Sequence, residues 1–124
     1  MKQIFGVSIL LVLLVACQKD LKHEKYVANI SSDTLTVINP DFDTIYTILP
    51  GKSALIYAFQ VKDTKQEKED CRWLGDTLII KNQLDSACTK FPSVEENWTW
   101  TVEGPEKERT QKCVFTVRDE DFNP

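Results

Sequence analysis

The sequence predicts an all-β protein: an antiparallel β-sandwich of about seven strands, immunoglobulin-like, preceded by an N-terminal signal peptide. Short segments rich in Val, Ile, Thr and Tyr alternate between apolar and polar residues, as half-buried strands do. These segments recur at intervals of about ten residues with turn residues between them, a spacing typical of sandwiches. No stretch after residue 25 shows helical periodicity over about eleven residues, which argues against a helical domain.

Turn signals delimit the expected strands. Pro40 follows the second segment, and Pro50-Gly51 follows the third, because proline cannot continue a sheet ladder and glycine allows a tight turn. Gly75-Asp76 is expected to join residues 72–74 to the fifth strand as a two-residue hairpin. The expected strands are residues 26–30, 34–39, 44–49, 53–61, 77–81, 98–103 and 112–118.

The first seventeen residues have the pattern of a cleaved export signal. Lys2 supplies a positive charge, and residues 4–16 form an apolar stretch too short to span a bilayer. Ala16 immediately before Cys17 resembles a bacterial lipobox, which implies lipidation of Cys17 and cleavage before it. We therefore expect three segments: a signal peptide at 1–16, the lipidated cysteine and a flexible tether at 17–25, and the sandwich domain at 26–124.

Charge and composition limit the partners. The formal net charge of −4 becomes −5 when Lys2 is removed, which disfavours nucleic acid and leaves the lipid as the means of membrane attachment. His23 is the single histidine, and no Cys-x-x-Cys spacing occurs. We therefore expect no metal site and no cofactor.

Three cysteines remain after Cys17, namely Cys71, Cys88 and Cys113. Export places them in an oxidising compartment, where one intrachain disulfide is expected and one thiol is left over. Cys71 and Cys113 would meet if their strands were entered from the same end of the sandwich. Cys71 would lie closer to Cys88 if residues 71–74 folded back on the fifth strand. The sequence leaves both pairings open.

The tryptophans are candidates for either core or ligand contact. Trp98 and Trp100 share one strand face with Val102, as core residues of a sandwich do. Trp73 lies beside Arg72 and a turn, so we expect it to be exposed and available to a ligand such as a glycan.

Four hydroxyl residues follow an aspartate and precede an aliphatic residue. This pattern resembles the acceptor motif of the general O-glycosylation system of the Bacteroidota. Turn chemistry gives an alternative explanation, because aspartate ends turns and threonine opens strands. The candidate acceptors are Thr34, Thr44, Thr77 and Ser86.

Two further segments carry resemblances. Cys17-Gln18-Lys19-Asp20 resembles the start of the Bacteroidota signal that sends lipoproteins to the cell surface, although Leu21 stands where a further acidic residue is expected. Trp98 together with residues 115–122 is similar to the endings of small Bacteroidota lipoproteins to which no activity is assigned. The resemblances imply an outer-membrane lipoprotein and leave its orientation, towards the surface or the periplasm, open.

No nucleophile–histidine arrangement suggests catalysis, so we expect a protein that is not an enzyme. The first hypothesis is a surface binding or adhesion module for a glycan or protein ligand, presented on loops such as 62–70 or 86–97. The alternative is a periplasm-facing accessory or structural subunit of an envelope complex, which would use an exposed sheet edge.

Overall fold

A computed structural model describes residues 20–62, 68–72 and 75–122. Within them the chain forms seven strands and two short 3-10 helices, Glu95–Asn97 and Asp119–Phe122. The strands are β1 (Asp20–Asn29), β2 (Leu35–Asn39), β3 (Thr44–Ile48), β4 (Ser53–Lys62), β5 (Ile79–Lys81), β6 (Trp98–Glu103) and β7 (Glu108–Val117).

The strands form a four-stranded sheet with the order β4-β1-β7-β6 and a three-stranded sheet with the order β3-β2-β5. This confirms the predicted all-β sandwich of about seven strands, and the division into four and three strands is that of seven-stranded immunoglobulin domains. One pairing departs from the antiparallel expectation: the first and last strands lie side by side and run parallel. The other paired strands are antiparallel.

β1 begins at Asp20, six residues before the strand expected at Tyr26. Residues 20–25 are therefore strand, and the tether expected over 17–25 is wrong in that part. They are held on both sides, because Asp20 pairs with Lys62 of β4 and with Glu108 of β7. The strand escaped prediction because two of its inward residues, His23 and Lys25, are polar and disguise the alternation.

The core lies between the inward faces of the two sheets. Strict alternation on β2 and β7 places one side of each strand inside, as period-two patterning requires. Full burial of each such aliphatic or aromatic side chain contributes about 1.5–3 kcal/mol. The buried cluster contains Val27, Leu35, Val37, Ile48, Ile56, Cys71, Leu78, Ile80, Trp98, Cys113, Phe115 and Val117.

The hairpin expected at 72–81 is wrong. Gly75 N–H donates to the Arg72 carbonyl in a turn, and among the described residues of this range only Ile79–Lys81 is a strand, which pairs with β2. Trp73 and Leu74 lie outside the described residues. β5 pairs with β2, and Ile80 enters the core opposite Val37.

The two sheets differ in length, and this difference shapes the candidate site. β1, β4 and β7 of the four-stranded sheet have ten residues each, whereas the strands of the three-stranded sheet have three to five. Part of the inward face of the longer sheet, near the start of β1, is instead covered by the chain at residues 68–72, as the contacts below show.

Candidate functional site

One disulfide joins Cys71 to Cys113, with a Cα–Cα distance of 5.6 Å. This selects the first of the two pairings that the sequence left open. Cys88 is the free thiol among the described cysteines. It is half-buried, and burial raises the pKa of its thiol, which keeps it protonated and weakly reactive.

Polar contacts hold the backbone beside this disulfide against the four-stranded sheet. The side-chain amide of Gln111 accepts a hydrogen bond from the Glu69 N–H at 2.9 Å and donates one to the Glu69 carbonyl at 2.8 Å. The Lys25 ammonium donates to the Cys71 carbonyl at 2.6 Å. We call residues 68–72 the docked segment, because two strands and a disulfide attach it to the inward face.

Lys25 is an unusual core residue. Its side chain is 3% exposed, and its Nζ lies 5.9 Å from the ring centroid of Trp98. Burial lowers the pKa of Lys25 from 10.5 to about 8, although surrounding acids, Asp70 first among them, act in the opposite direction. The ammonium therefore satisfies a buried carbonyl at a cost in desolvation.

His23 lies on the same inward face, two residues before Lys25. Its ring stacks on Phe59 with centroids 4.4 Å apart. Its Nε2 is buried and has no hydrogen-bond partner among the described residues. Burial lowers the pKa of His23, with Glu69 opposing and Lys25 reinforcing that shift, so the neutral imidazole is the form that packs here.

A charged network fixes the outer side of the docked segment. Arg72 and Asp70 form a close ion pair, which holds the pKa of the Asp70 carboxyl well below its usual range. Glu95 accepts from Lys68 at 3.0 Å and lies within reach of Arg72. Because these pairs are open to solvent, each contributes little to the free energy of unfolding. They position the chain and do not converge on a cavity.

The chemistry of these groups is structural in character. Within the described part of the chain, no cluster of His, Cys, Asp and Glu side chains could hold a metal ion. An open depression of about 280 Å³ lies elsewhere, where β1 and β7 begin. Its lining is polar and mixed in charge: Asp20, Lys22, Gln60, Glu108, Arg109 and Thr110.

The sequence predicts that Trp98 and Trp100 are core residues, and the structure confirms this for Trp98 but not for Trp100. Trp98 is buried, packs against Phe115 and donates from Nε1 to the Pro92 carbonyl at 2.8 Å. Trp100 shares that face but is 48% exposed. The Lys68 ammonium lies 4.9 Å from its ring centroid, a cation–π contact. Trp73, the expected ligand contact, lies outside the described residues, as does Cys17.

The candidate acceptor hydroxyls do not form one site. Thr77 is exposed and donates to Asp41 at 2.6 Å, whereas the Thr44 hydroxyl is buried in the fold. Ser86 is exposed, and Thr34 is half-buried. The aspartates at 43 and 85 have positive φ, 50° and 61°, as expected where aspartate ends a turn.

The sequence analysis missed a row of isoleucines on the outer face of the three-stranded sheet. Ile38 lies directly opposite Ile45 on one side and Ile79 on the other. Ile45 is 69% exposed and Ile79 is 43% exposed. Thr36, Thr47 and Lys81 form the neighbouring row of that face, so Lys81 is its only charge within the described strands. The missed signal is the lack of charged residues at outward positions of β2 and β3.

The described residues contain no helix with the length and apolarity that crossing a bilayer requires. In comparisons with known proteins, the chain matches no protein family, no curated protein and no solved structure.

Proposed function

We propose that the protein is a lipid-anchored lipoprotein of the outer membrane that acts as a non-catalytic binding or adhesion module. The anchor rests on the signal pattern before Cys17, with its apolar stretch and small residue at position 16. Replacing Cys17 with Ala should release the domain from the membrane fraction. Retention of the Cys17→Ala protein in washed membranes would contradict the anchor.

The isoleucine row carries the binding role. Three isoleucines in register across adjacent strands form a contiguous apolar surface, and such surfaces on soluble domains mark interaction sites. The threonines beside them add hydroxyls without charge. This face, on which Lys81 is the only charge within the described strands, fits a protein ligand better than a glycan, which needs exposed aromatic rings and fixed polar groups.

A photocrosslinker tests this face in living cells. We would place p-benzoylphenylalanine at Ile45 and, as a matched control, at Leu55, which is 43% exposed on the outer face of the four-stranded sheet. A discrete crosslinked adduct at Ile45 alone is expected. Adducts of equal yield at both positions, or none at Ile45, would refute the assignment of binding to this face.

A second function is favoured by one specific observation, the exposed edge strand β6. Residues 99–103 are exposed on both sides of the strand, and Trp100 and Val102 add apolar surface. Such an edge can pair with a strand of another protein, as expected of an accessory subunit of an envelope complex. Proteinase digestion on intact cells distinguishes the surface binding module from the periplasmic accessory subunit. Digestion supports surface display, whereas protection until lysis supports the periplasmic subunit.

A further inference from the structure

The start of β1 defines one end of the sandwich. The Asp20 N–H donates to the Lys107 carbonyl at 3.0 Å, which ties the strand to the turn between β6 and β7. Asp20 also pairs with Lys62, the last residue of β4. We call Asp20, Lys62 and the turn at residues 104–107 the Asp20 end of the domain.

The opposite end is defined as clearly. β1 ends at Asn29, and Ile30 N–H donates to the carbonyl of Val117, the last residue of β7. The Thr34 N–H donates to the Gln83 side chain at 3.3 Å, which places the loop around Leu84 at this end. A ten-residue strand spans about 33 Å, so the two ends are separated by roughly that distance.

Chain length limits how far the Asp20 end can lie from a lipid on Cys17. Gln18 and Lys19 lie between Cys17 and Asp20, so three Cα–Cα steps of about 3.8 Å each limit the reach to about 11 Å. Since residues 20–25 belong to β1, they add nothing to this reach. A lipid on Cys17 would therefore hold the Asp20 end close to the headgroups.

Charge favours the same orientation. In the described residues, the Asp20 end and the depression beside it carry three acidic and four basic side chains, a formal charge of +1 in a chain of net negative charge. The opposite end carries the acidic 3-10 helix Asp119–Phe122, which an anionic lipid surface repels. These charged residues are Asp20, Lys22, Lys62, Glu106, Lys107, Glu108 and Arg109.

We propose that the Asp20 end is a membrane-contact surface that rests on lipid headgroups and holds the domain end-on. This inference rests on the proposed lipid anchor at Cys17. Its consequence concerns ligand access: the loops near Ile30, Leu49 and Leu84 point away from the bilayer, with those three side chains 48%, 57% and 83% exposed. A ligand bound at Lys62 would instead have to approach from the membrane side, because β4 ends at the Asp20 end.

Energy transfer to the bilayer tests the orientation. The lipidated full-length protein, purified from membranes, carries Cys88→Ser and one new labelling cysteine, either Lys107→Cys or Leu84→Cys. It is reconstituted into vesicles of phosphatidylethanolamine and phosphatidylglycerol that contain a headgroup-linked acceptor. We expect transfer from position 107 to exceed transfer from position 84 at least twofold. Inserting ten Gly and Ser residues between Lys19 and Asp20 should reduce that ratio towards one while the protein stays vesicle-bound.

Flotation of the vesicles separates the possible failures. Equal transfer from both positions in protein that floats would overturn the end-on orientation and leave the anchor intact. Greater transfer from position 84 would overturn it in the same way. Protein that fails to float, as the Cys17→Ser control should, would refute the lipid anchor and this proposal together.

Discussion

Replacing Lys25 with Met should remove a pH dependence that a single buried ammonium imposes on stability. The side chain is 3% exposed, its Nζ donates to the Cys71 carbonyl at 2.6 Å, and burial lowers its pKa to about 8. Methionine has similar length and no charge, so the variant retains packing and loses the titration.

The sign and magnitude follow from the two pKa values. The unfolded chain keeps the ordinary pKa of 10.5, so between about pH 8 and pH 10.5 it binds more protons than the folded protein does. Stability therefore rises with pH across that interval. At about 1.4 kcal/mol per pH unit, the free energy of unfolding of the wild type should gain about 3 kcal/mol relative to Lys25→Met.

Urea unfolding at a series of pH values from 7 to 11 measures this difference. The comparison of wild type with variant cancels the titration of groups that both proteins share. Lys22→Met is the matched control, because it removes an exposed ammonium from the opposite face of the same strand. If the difference in free energy of unfolding between the wild type and Lys25→Met stays constant from pH 8 to pH 10.5, the explanation by a buried ammonium is refuted.

The remaining predictions concern the disulfide, the histidine and one turn. Replacing Cys71 and Cys113 with Ser should lower the free energy of unfolding by about 4 kcal/mol in urea, since the bond closes a loop of 42 residues. Because burial lowers the pKa of His23, wild-type stability should fall as pH drops below 6.5, whereas His23→Phe should show a flatter pH profile in thermal melts. Gly104→Ala should lower Tm more than Gly51→Ala: both have positive φ, but a Cβ at 104 would lie 2.6 Å from a carbonyl oxygen, and the space at 51 is open. Equal Tm losses would contradict this explanation.

The sequence predicted the strands that end at unambiguous turn signals. β2 and β3 lie within one residue of expectation because Pro40 and Pro50-Gly51 stop them and their inward residues alternate. β6 is predicted with its bounds for the same reason, since Gly104 follows it in a left-handed conformation. The bounds of these strands depend on the residues next to them in the chain, so the sequence pattern alone predicts them.

The features that the sequence did not predict depend on which strands become neighbours. Trp98 and Trp100 have the same alternation, yet Trp98 is buried against Phe115 and the Pro92 carbonyl, whereas Trp100 is 48% exposed. Likewise, the isoleucines at 38, 45 and 79 form one surface only because β2 pairs with both β3 and β5. Pairing of Cys71 with Cys113 also depends on tertiary placement, which spacing along the chain does not specify.

Two buried polar residues of this sandwich, Lys25 and Gln111, are explained by the backbone groups to which they form hydrogen bonds. The docked segment packs against a sheet face that the shorter sheet leaves uncovered, and its buried N–H and C=O groups require partners. Gln111 forms hydrogen bonds with the backbone N–H and C=O of Glu69, and Lys25 donates to the backbone carbonyl of Cys71. Apolar replacements would leave those backbone groups unpaired at about 1–3 kcal/mol each. Lys25 and Gln111, at inward positions of the neighbouring strands β1 and β7, are therefore explained by the docked segment that they hold.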